Sequence, residues 1–440
     1  MRAMLTGAAL GVVLGAVAVG VTAMAWPDTK TVDSRTATYQ QLDLFTEVLA
    51  RAKADYVVEI DEIEAIEAAI DGMLGSLDPH SSFLSARDFE AMQVTSSGQY
   101  GGLGIEVTME DGFVKIVSPM DDTPASRAGL ESGDLISAIN GKPIVGLSMD
   151  DAVRDMRGEA GEGLTITILR AGVEPFDVDL VREVIQPKSV TWRVEADDIA
   201  YIRVATFNER TTELLEVALK DARAELGARP KGIILDLRNN GGGLLDQAIS
   251  VSDQFLAGGE VVSTIGRRAG DVARYNARAG ESFKGVPIVV LINQGSASAS
   301  EIVAGALQDR ARATVLGVTS FGKGSVQTVI PLGGERGAIR LTTARYYTPA
   351  GRSIQATGIE PDLEVANTRM SEEDLAKVRR FTESDLPNAL GNESGEGRVL
   401  PHIPADMPPE NYEGEDYQLE KAIELLKSGG AMAKTETRAG

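Results

Sequence analysis

Val286-Pro-Ile-Val-Val-Leu-Ile-Asn-Gln-Gly-Ser-Ala-Ser-Ala-Ser-Glu-Ile302 passes from an apolar run through a glycine turn into a helical pattern. The run from Val286 to Ile292 is short, rich in β-branched residues and free of charge, which predicts a strand buried on both faces. A helix is expected from about Ala299 to Arg310. The same alternation surrounds it. Ala200-Tyr-Ile-Arg-Val204, Gly232-Ile-Ile-Leu-Asp-Leu237 and Ala313-Thr-Val-Leu-Gly317 read as strands, and Thr211 to Leu226 and Leu244 to Phe255 as helices. Strands alternating with helices predict an α/β domain with a mixed or parallel sheet. Val326 to Ile330 and Ala338 to Leu341 then read as a hairpin around Gly333-Gly334.

Ser298 follows the strand and sits at the mouth of the helix, where unpaired N–H groups and the helix dipole favour negative charge. An oxyanion formed there would be stabilised. The same spacing has a plain structural reading: Ser298-Ala-Ser-Glu301 is a capping box, with Ser298 as N-cap and Glu301 three positions on.

Lys323 lies in Ser320-Phe-Gly-Lys-Gly-Ser-Val-Gln327, between two glycines and just before a strand. Strand side chains alternate, so Lys323, Ser325 and Gln327 share a side, and Gln327 can hold the lysine amine. To serve as a base near neutral pH the amine must fall roughly three units from its reference pKa of about 10.4, which burial can achieve. The plain alternative is a solvated surface lysine. Gly317 to Lys323 also matches the first positions of a P-loop, but Gly324 replaces the magnesium-binding Ser or Thr and a strand follows instead of a helix.

Upstream, from Gly98 to about Arg182, the pattern is of short strands and glycine turns: Gly104 to Thr108, Phe113 to Val117, Asp134 to Ile139 and Leu164 to Leu169, with a short helix from Ser148 to Met156. Tyr100-Gly-Gly-Leu-Gly-Ile105, Pro124-Ala-Ser-Arg-Ala-Gly-Leu130 and Gly133 to Gly141 resemble a PDZ domain of the bacterial protease type. Successive N–H groups of such a turn form a nest for a carboxylate, and the adjoining strand edge can take up a peptide. Leu103, Gly104 and Ile105 are the expected backbone donors to a peptide C-terminus.

Two amphipathic helices are expected between Tyr39 and Leu77, ending at the Asp78-Pro79 turn, where His80 reads as a structural residue. Residues 5–25 carry no charge and approach the roughly 20 residues that cross a bilayer. Arg2 precedes them and Ala23-Met24-Ala25 fits a cleavage site, so the segment reads either as a removed signal peptide or as an anchor. Beyond Val365 the prolines break long elements, leaving loop and one candidate helix from Tyr417 to Leu426 that could dock on the core or on a second subunit.

Lys and Arg number 43 against 65 Asp and Glu, a net charge of −22 that repels polyanions and argues against nucleic acid. There is no cysteine and only His80 and His402 supply imidazole, which excludes disulfides, a cysteine nucleophile and a histidine-rich metal site. No cofactor or metal is expected.

Leu235-Asp-Leu-Arg-Asn-Asn-Gly-Gly-Gly243, Gly295-Ser-Ala-Ser-Ala-Ser-Glu-Ile302, Ser320 to Gln327 and Tyr346-Tyr-Thr-Pro-Ala-Gly-Arg-Ser-Ile354 together resemble the carboxyl-terminal processing peptidases, also called tail-specific proteases. The resemblance runs from about Tyr39 to Val365. It implies a Clp protease/crotonase-like α/β core with an inserted PDZ domain and a helical N-terminal region. It implies further that Ser298 is the nucleophile, Lys323 the general base and Gln327 the residue orienting the lysine, with Ser296 and Ser300 in support. The oxyanion donors would be the Ala299 N–H and that of Gly242 or Gly243. Asp309 matches an acidic position of the family, although late on a helix it also reads as structural. The organisation expected is a signal or anchor at 1–25, helices at 36–97, PDZ at 98–182, peptidase core at 190–365 and an acidic, proline-containing tail at 366–440. The implied protein is an exported, periplasmic endopeptidase, soluble after cleavage or held at the inner membrane. Its substrates would be proteins or peptides with exposed C-termini, and a homo-oligomer is left open. Two other classes compete: a catalytically silent PDZ scaffold, opposed by the intact Ser298, Lys323 and Gln327 set, and a crotonase-like acyl-CoA enzyme, for which a PDZ domain has no evident use.

Overall fold

The three- and four-residue spacing of Leu42, Phe45 and Val48 is realised in α1 (Thr29–Asp55), a helix that starts well before its periodic stretch. The computed structural model describes residues 29–110, 112–120, 122–147, 149–268, 270–334, 336–369, 382–393 and 403–430. Residues 1–68 and 69–440 form two units. In the first, Tyr39, Leu42, Phe45 and Val48 of α1 are exposed. Asp61 opens α2 (Glu62–Gly75) by accepting the Ile63 N–H at 2.8 Å. The 5–25 segment lies outside the described residues, among which no helix is long and apolar enough to cross a membrane.

The chain then makes β1 (Ser82–Leu84) and α3 (Ala86–Ser97), the latter capped by Ser85 and ended by Gly98 at φ 72°. Next come β2 (Tyr100–Gly102), β3 (Ile105–Glu110), β4 (Phe113–Pro119), α4 (Pro124–Arg127), β5 (Leu135–Ile139), β6 (Lys142–Pro143), α5 (Met149–Met156), β7 (Gly163–Leu169), β8 (Phe176–Val181) and β9 (Glu183–Ile185). Strands β3, β4, β5, β7 and β8 form an antiparallel sheet in that order, with β6 on β5. Alternation along β4 and β7 buries Val114, Ile116, Ile166 and Ile168 in this module's own core with Ile136 of β5. The strands and the helix expected from the sequence are present, and β2, β6, β8, β9 and α4 are additions. Strand β9 returns to pair with β2, so the module leaves the chain and rejoins it at one place. Arg182 fastens that junction by donating to the Met156 and Asp155 carbonyls, each at 3.0 Å.

The remaining elements are β10 (Val190–Glu195), β11 (Ile199–Val204), α6 (Thr211–Leu226), β12 (Gly232–Asp236), α7 (Leu245–Asp253), β13 (Gly259–Gly266), β14 (Val272–Ala277), β15 (Ile288–Ile292), α8 (Ala299–Asp309), β16 (Thr314–Gly317), β17 (Ser325–Pro331), β18 (Ala338–Tyr347), β19 (Leu363–Glu364), a 3-10 turn at Glu383–Asp385 and α9 (Tyr417–Ser428). The main sheet runs β10-β11-β12-β15-β16-β19, parallel from β11 onward with β10 antiparallel at its edge.

Its charge-free runs are buried on both faces because alternate residues enter different cores. Ile233, Leu235, Ile288, Val290 and Ile292 pack with α6, α7 and α8. Ile234, Val289, Leu291 and Leu316 pack against Tyr417, Ala422 and Leu426 of α9. The candidate helix in the tail therefore docks on the core of its own chain and closes the second face of the sheet. A second sheet holds β17, β18, β13 and β14, and the expected hairpin is its β17–β18 pair. Strand β1 joins that sheet through Ser82↔Arg340, Phe83↔Ile339 and Leu84↔Ala338, so the residues just after the Asp78-Pro79 turn are built into the peptidase region. The fold is mixed α/β with a β-rich module inserted ahead of the main sheet.

Candidate active site

Strands β12, β15 and β16 are parallel neighbours, so their carboxyl ends deliver three segments to one edge of the sheet: Gly241–Gly243 after β12, Asn293–Ser298 after β15, and the turn around Lys323 after β16. In open α/β sheets this edge is where ligands bind.

Ser298 stands at φ 54°, ψ −111°, a backbone state that costs a non-glycine residue about 1–3 kcal/mol and persists only where the surroundings impose it. The flanking serines do so. Ser296 and Ser300 are fully buried; the Ser296 hydroxyl donates to the Leu237 carbonyl and that of Ser300 to the Asn240 carbonyl, both at 2.8 Å. Ala297 N–H donates to the Asn240 carbonyl at 3.0 Å, so the serine loop is tied to the β12 loop on both sides of Ser298. Ser298 and Glu301 stand in the capping-box arrangement, in which the Glu301 carboxylate accepts the Ser298 N–H at 2.7 Å.

Glu301 is fully buried and does more than close the box. Its Oε2 also accepts the Lys323 N–H at 2.9 Å, and its Oε1 accepts the Ser320 hydroxyl at 2.6 Å and the Gly322 N–H at 2.7 Å. Burial pushes this carboxyl up to about 7 against the pull of those donors. One carboxylate therefore joins the backbone of Ser298 to the backbone of Lys323.

The Lys323 side chain is partly buried, and burial holds its amine below the usual lysine range against the attraction of Glu383. Arg340 pushes the same way as burial, and Glu301 and Asp78 oppose it. Gln327 lies on the same strand face as Ser325, and its Nε2 donates to the Ser325 hydroxyl at 3.0 Å and to that of Thr342 at 3.1 Å. Among the described residues no hydrogen bond links the side chains of Ser298, Lys323 and Gln327 to one another.

Gly242 is packed against the serine: it has φ +102°, and a Cβ there would come within 2.9 Å of Ser298 Cβ and 3.0 Å of Ala299 N. Its own N–H is spent on Asn240 Oδ1 at 2.9 Å. No hydrogen bond engages the Gly243 N–H or the Ala299 N–H among the described residues. Asp309 is at the far end of α8, where it pairs with Arg352 and accepts the Ala350 N–H at 2.9 Å, so it holds the loop after β18.

In the inserted module Leu103, Gly104 and Ile105 line a groove of about 220 Å³ together with Val107 of β3 and Met149, Val153 and Met156 of α5. Gly104 sits at φ +76° with Thr123 directly behind it. A separate, polar cavity of about 490 Å³ is lined by Arg203, Asp236, Arg238 and Asp416, whose charges are paired with one another.

Four residues tied to the Lys323–Gln327 segment carry no signal of it in the sequence: Asp78, Thr342, Gln355 and Glu383. Gln355 Oε1 accepts the Gly324 N–H at 2.9 Å, and its Nε2 donates to Glu383 Oε1 at 3.0 Å. Glu383 in turn accepts from His80 Nε2 at 2.8 Å. His80, read as structural, is thus a partner of the tail segment. Gln355 directly follows the Tyr346–Ile354 stretch; nothing in the spacing joins the other three to the lysine.

Residues 198–365 match peptidase family S41, and residues 115–170 match a PDZ domain. The carboxy-terminal-processing protease of Bartonella bacilliformis is 49% identical over 405 residues, covering 90% of this chain and 91% of that protein. The carboxy-terminal processing protease CtpA of Bacillus subtilis is 34% identical over 324 residues, covering 73% and 68%. Among solved structures, the photosystem II D1 C-terminal processing protease is 28% identical, covering 77% of this chain and 98% of that one at a TM-score of 0.44. With 49% identity over nine-tenths of its length to one such protease, the chain belongs to the carboxy-terminal-processing proteases, the serine-type endopeptidases of peptidase family S41, and carries a PDZ domain within it.

Proposed function

We propose that this endopeptidase takes the C-terminal end of a substrate protein in the groove of Leu103, Gly104 and Ile105 and cleaves the chain upstream with Ser298 as nucleophile. Lys323 in its neutral form takes the hydroxyl proton as Ser298 attacks the peptide carbonyl, then gives it to the leaving amine. Water resolves the acyl-enzyme by the same route. The oxyanion is received by the N–H groups of Ala299 and Gly243; the Gly242 N–H is committed to Asn240, which makes Gly242 the spacer that lets the β12 loop approach the serine. Gln327 orients the lysine, and Asp309 serves the loop that carries Arg352. The observation that carries the reading is the junction at Glu301: a strained serine at a helix mouth and a lysine with a depressed pKa are held on one buried carboxylate.

In this reading the main sheet with its helices is a Clp protease/crotonase-like core, supported by the run of parallel strands and the delivery of the site from their carboxyl ends. Domain limits of 98–182 for the PDZ and 190–365 for the core are supported by β2 near the first limit, by its partner β9 (Glu183–Ile185) just beyond residue 182, and by the start of β10 at Val190. Export to the periplasm, with residues 5–25 as cleaved signal or inner-membrane anchor, rests on the composition of that segment. A homo-oligomer is supported by the exposed apolar side chains of α1.

The test is turnover of an unfolded protein with an apolar C-terminus by the full chain. Ser298→Ala and Lys323→Ala should each abolish cleavage with circular dichroism unchanged, and undiminished turnover in either would sink the assignment. Amidation of the substrate C-terminus should weaken binding.

A further inference from the structure

The turn at Asp78 is attached to the strand opposite Gln327. Its carboxylate accepts the N–H groups of His80 and Ser81, each at 2.9 Å, and the Ser81 hydroxyl at 2.7 Å. It also accepts the Thr342 hydroxyl at 2.9 Å. Burial disfavours the charge on Asp78, but these donors outweigh it and hold the carboxyl below its usual range. Asp78 is therefore an acceptor only.

That fixes the polarity of the next link. A hydroxyl has one proton, and Thr342 gives its own to Asp78, so toward Gln327 the Thr342 oxygen can only accept. Thr342 is the cross-strand partner of Gln327, placed there by a register shift between Val326 and Gln327 that sends Thr343 to Thr328 instead. The Gln327 atom at Thr342, 3.1 Å away, must be the amide nitrogen, and the second N–H of that nitrogen goes to Ser325. The atom left over is the carbonyl oxygen. Lys323 stands two residues before β17, the strand that carries Ser325 and Gln327, and the charge of Asp78 is among those that act on its amine.

We propose that Asp78, acting through the Thr342 hydroxyl, is a positioning residue for the reaction: it sets the Gln327 amide so that Oε1, and not the NH₂ group, is presented to Lys323. An amine whose N–H is taken by Oε1 keeps its lone pair for the Ser298 hydroxyl. A reversed amide would donate to that lone pair and compete with the serine. The inference rests on the Ser298–Lys323 reading given above.

Thr342→Val removes the relay oxygen without changing any charge near the lysine, and Thr342→Ser restores it. The experiment measures kcat and KM against pH with the full chain and an unfolded protein substrate, beside Ser298→Ala and a thermal melt. Thr342→Val should lower kcat about 10- to 100-fold at little change in KM, since misplacement of a catalytic group costs rate more than binding. The acidic limb of its kcat profile should move to lower pH, because the ammonium has lost an acceptor. Thr342→Ser should recover both. An unchanged limb, or a loss of kcat that Thr342→Ser does not repair in a protein that melts normally, overturns the relay. Undiminished turnover in Ser298→Ala would instead overturn the underlying assignment, so the two failures are distinct.

Discussion

Glu301 Oε2 accepts the backbone N–H of Lys323 at 2.9 Å, and the same oxygen accepts that of Ser298 at 2.7 Å. All four groups on this carboxyl are donors, so each hydrogen bond favours the ionised form, although burial outweighs them. A glutamine there would turn an NH₂ toward N–H groups that cannot accept it. Glu301→Gln should lower stability by about 2–3 kcal/mol, as expected when charge-assisted bonds are lost and a buried donor is left unpaired. Urea unfolding checks the stability, and kcat should fall with it, since the turns bearing Ser298 and Lys323 lose their common anchor.

The same carboxyl gives a pH signature. Its pKa rises from 4.5 to about 7 on folding because it is buried. The folded state therefore holds this proton more tightly than the unfolded one. The stability it contributes is full below about 4.5 and is lost as the pH rises through about 7. Activity should run the other way, since ionised Glu301 and neutral Lys323 both belong to the higher pH. Unfolding free energy and turnover measured over that window should move in opposite directions, and Glu301→Gln should flatten the stability slope.

Lys323 offers a second titration. Its amine is lowered chiefly by burial, and the negative charge of Glu383 is the largest influence raising it again. Glu383→Gln keeps the shape of that neighbour and removes its charge. The acidic limb of kcat/KM should shift to lower pH in this variant, read from a pH-rate profile. Lys323→Arg should be inactive throughout, because a guanidinium stays protonated at any workable pH.

The strands and helices of both regions were legible because burial on two faces writes itself as charge-free runs and burial on one face as alternation. Ser298, Lys323 and Gln327 were legible from local setting: a strand-to-helix serine, a glycine-flanked lysine, and alternation along one strand. What tertiary folding alone assembles was not. Asp78 and Thr342 meet because β1 adds to the sheet edge of β18, and that pairing leaves no trace in local sequence. The sequence shows only loop around Glu383, yet Glu383 meets His80 and Gln355, again through contacts far apart in the chain. The capping box at Ser298 reads in the sequence as a rival to catalysis; in the structure its Glu301 is also the carboxylate that accepts the Lys323 N–H, so the box belongs to the site.

At the peptide groove, Gly104 has φ +76°, and a Cβ there would lie 2.3 Å from that of Thr123. Neither can yield without moving the turn that the proposal assigns to the substrate carboxylate. Gly104→Ala should cost about 1–3 kcal/mol of strain and abolish binding of a peptide with a free C-terminus. Fluorescence anisotropy with free-acid and amidated peptides measures this. Cleavage of substrates too short to span both sites should survive, which separates recognition from chemistry.

The last helix is held by an ionic contact at its N-cap residue, Asp416. Arg238 donates to both oxygens of Asp416 at 2.7 Å while also pairing with Asp236 at the end of β12. Asp416 in addition caps α9 by accepting the Leu419 N–H at 3.0 Å. Burial opposes its charge, but Arg238 and that N–H prevail and keep the carboxyl below its ordinary range. A depressed carboxyl contributes stability that is present above its unfolded pKa, near 4, and is lost as the pH falls below that value. Asp416→Ala should therefore cost about 2–4 kcal/mol at neutral pH, from a broken charge pair and a lost N-cap, and much less under acid. Because α9 covers Ile234, Val289 and Leu291, its release should bare one face of the main sheet, and hydrogen exchange should rise first in β12 and β15. Exchange rising in the PDZ strands instead would show that α9 stabilises the chain by another route.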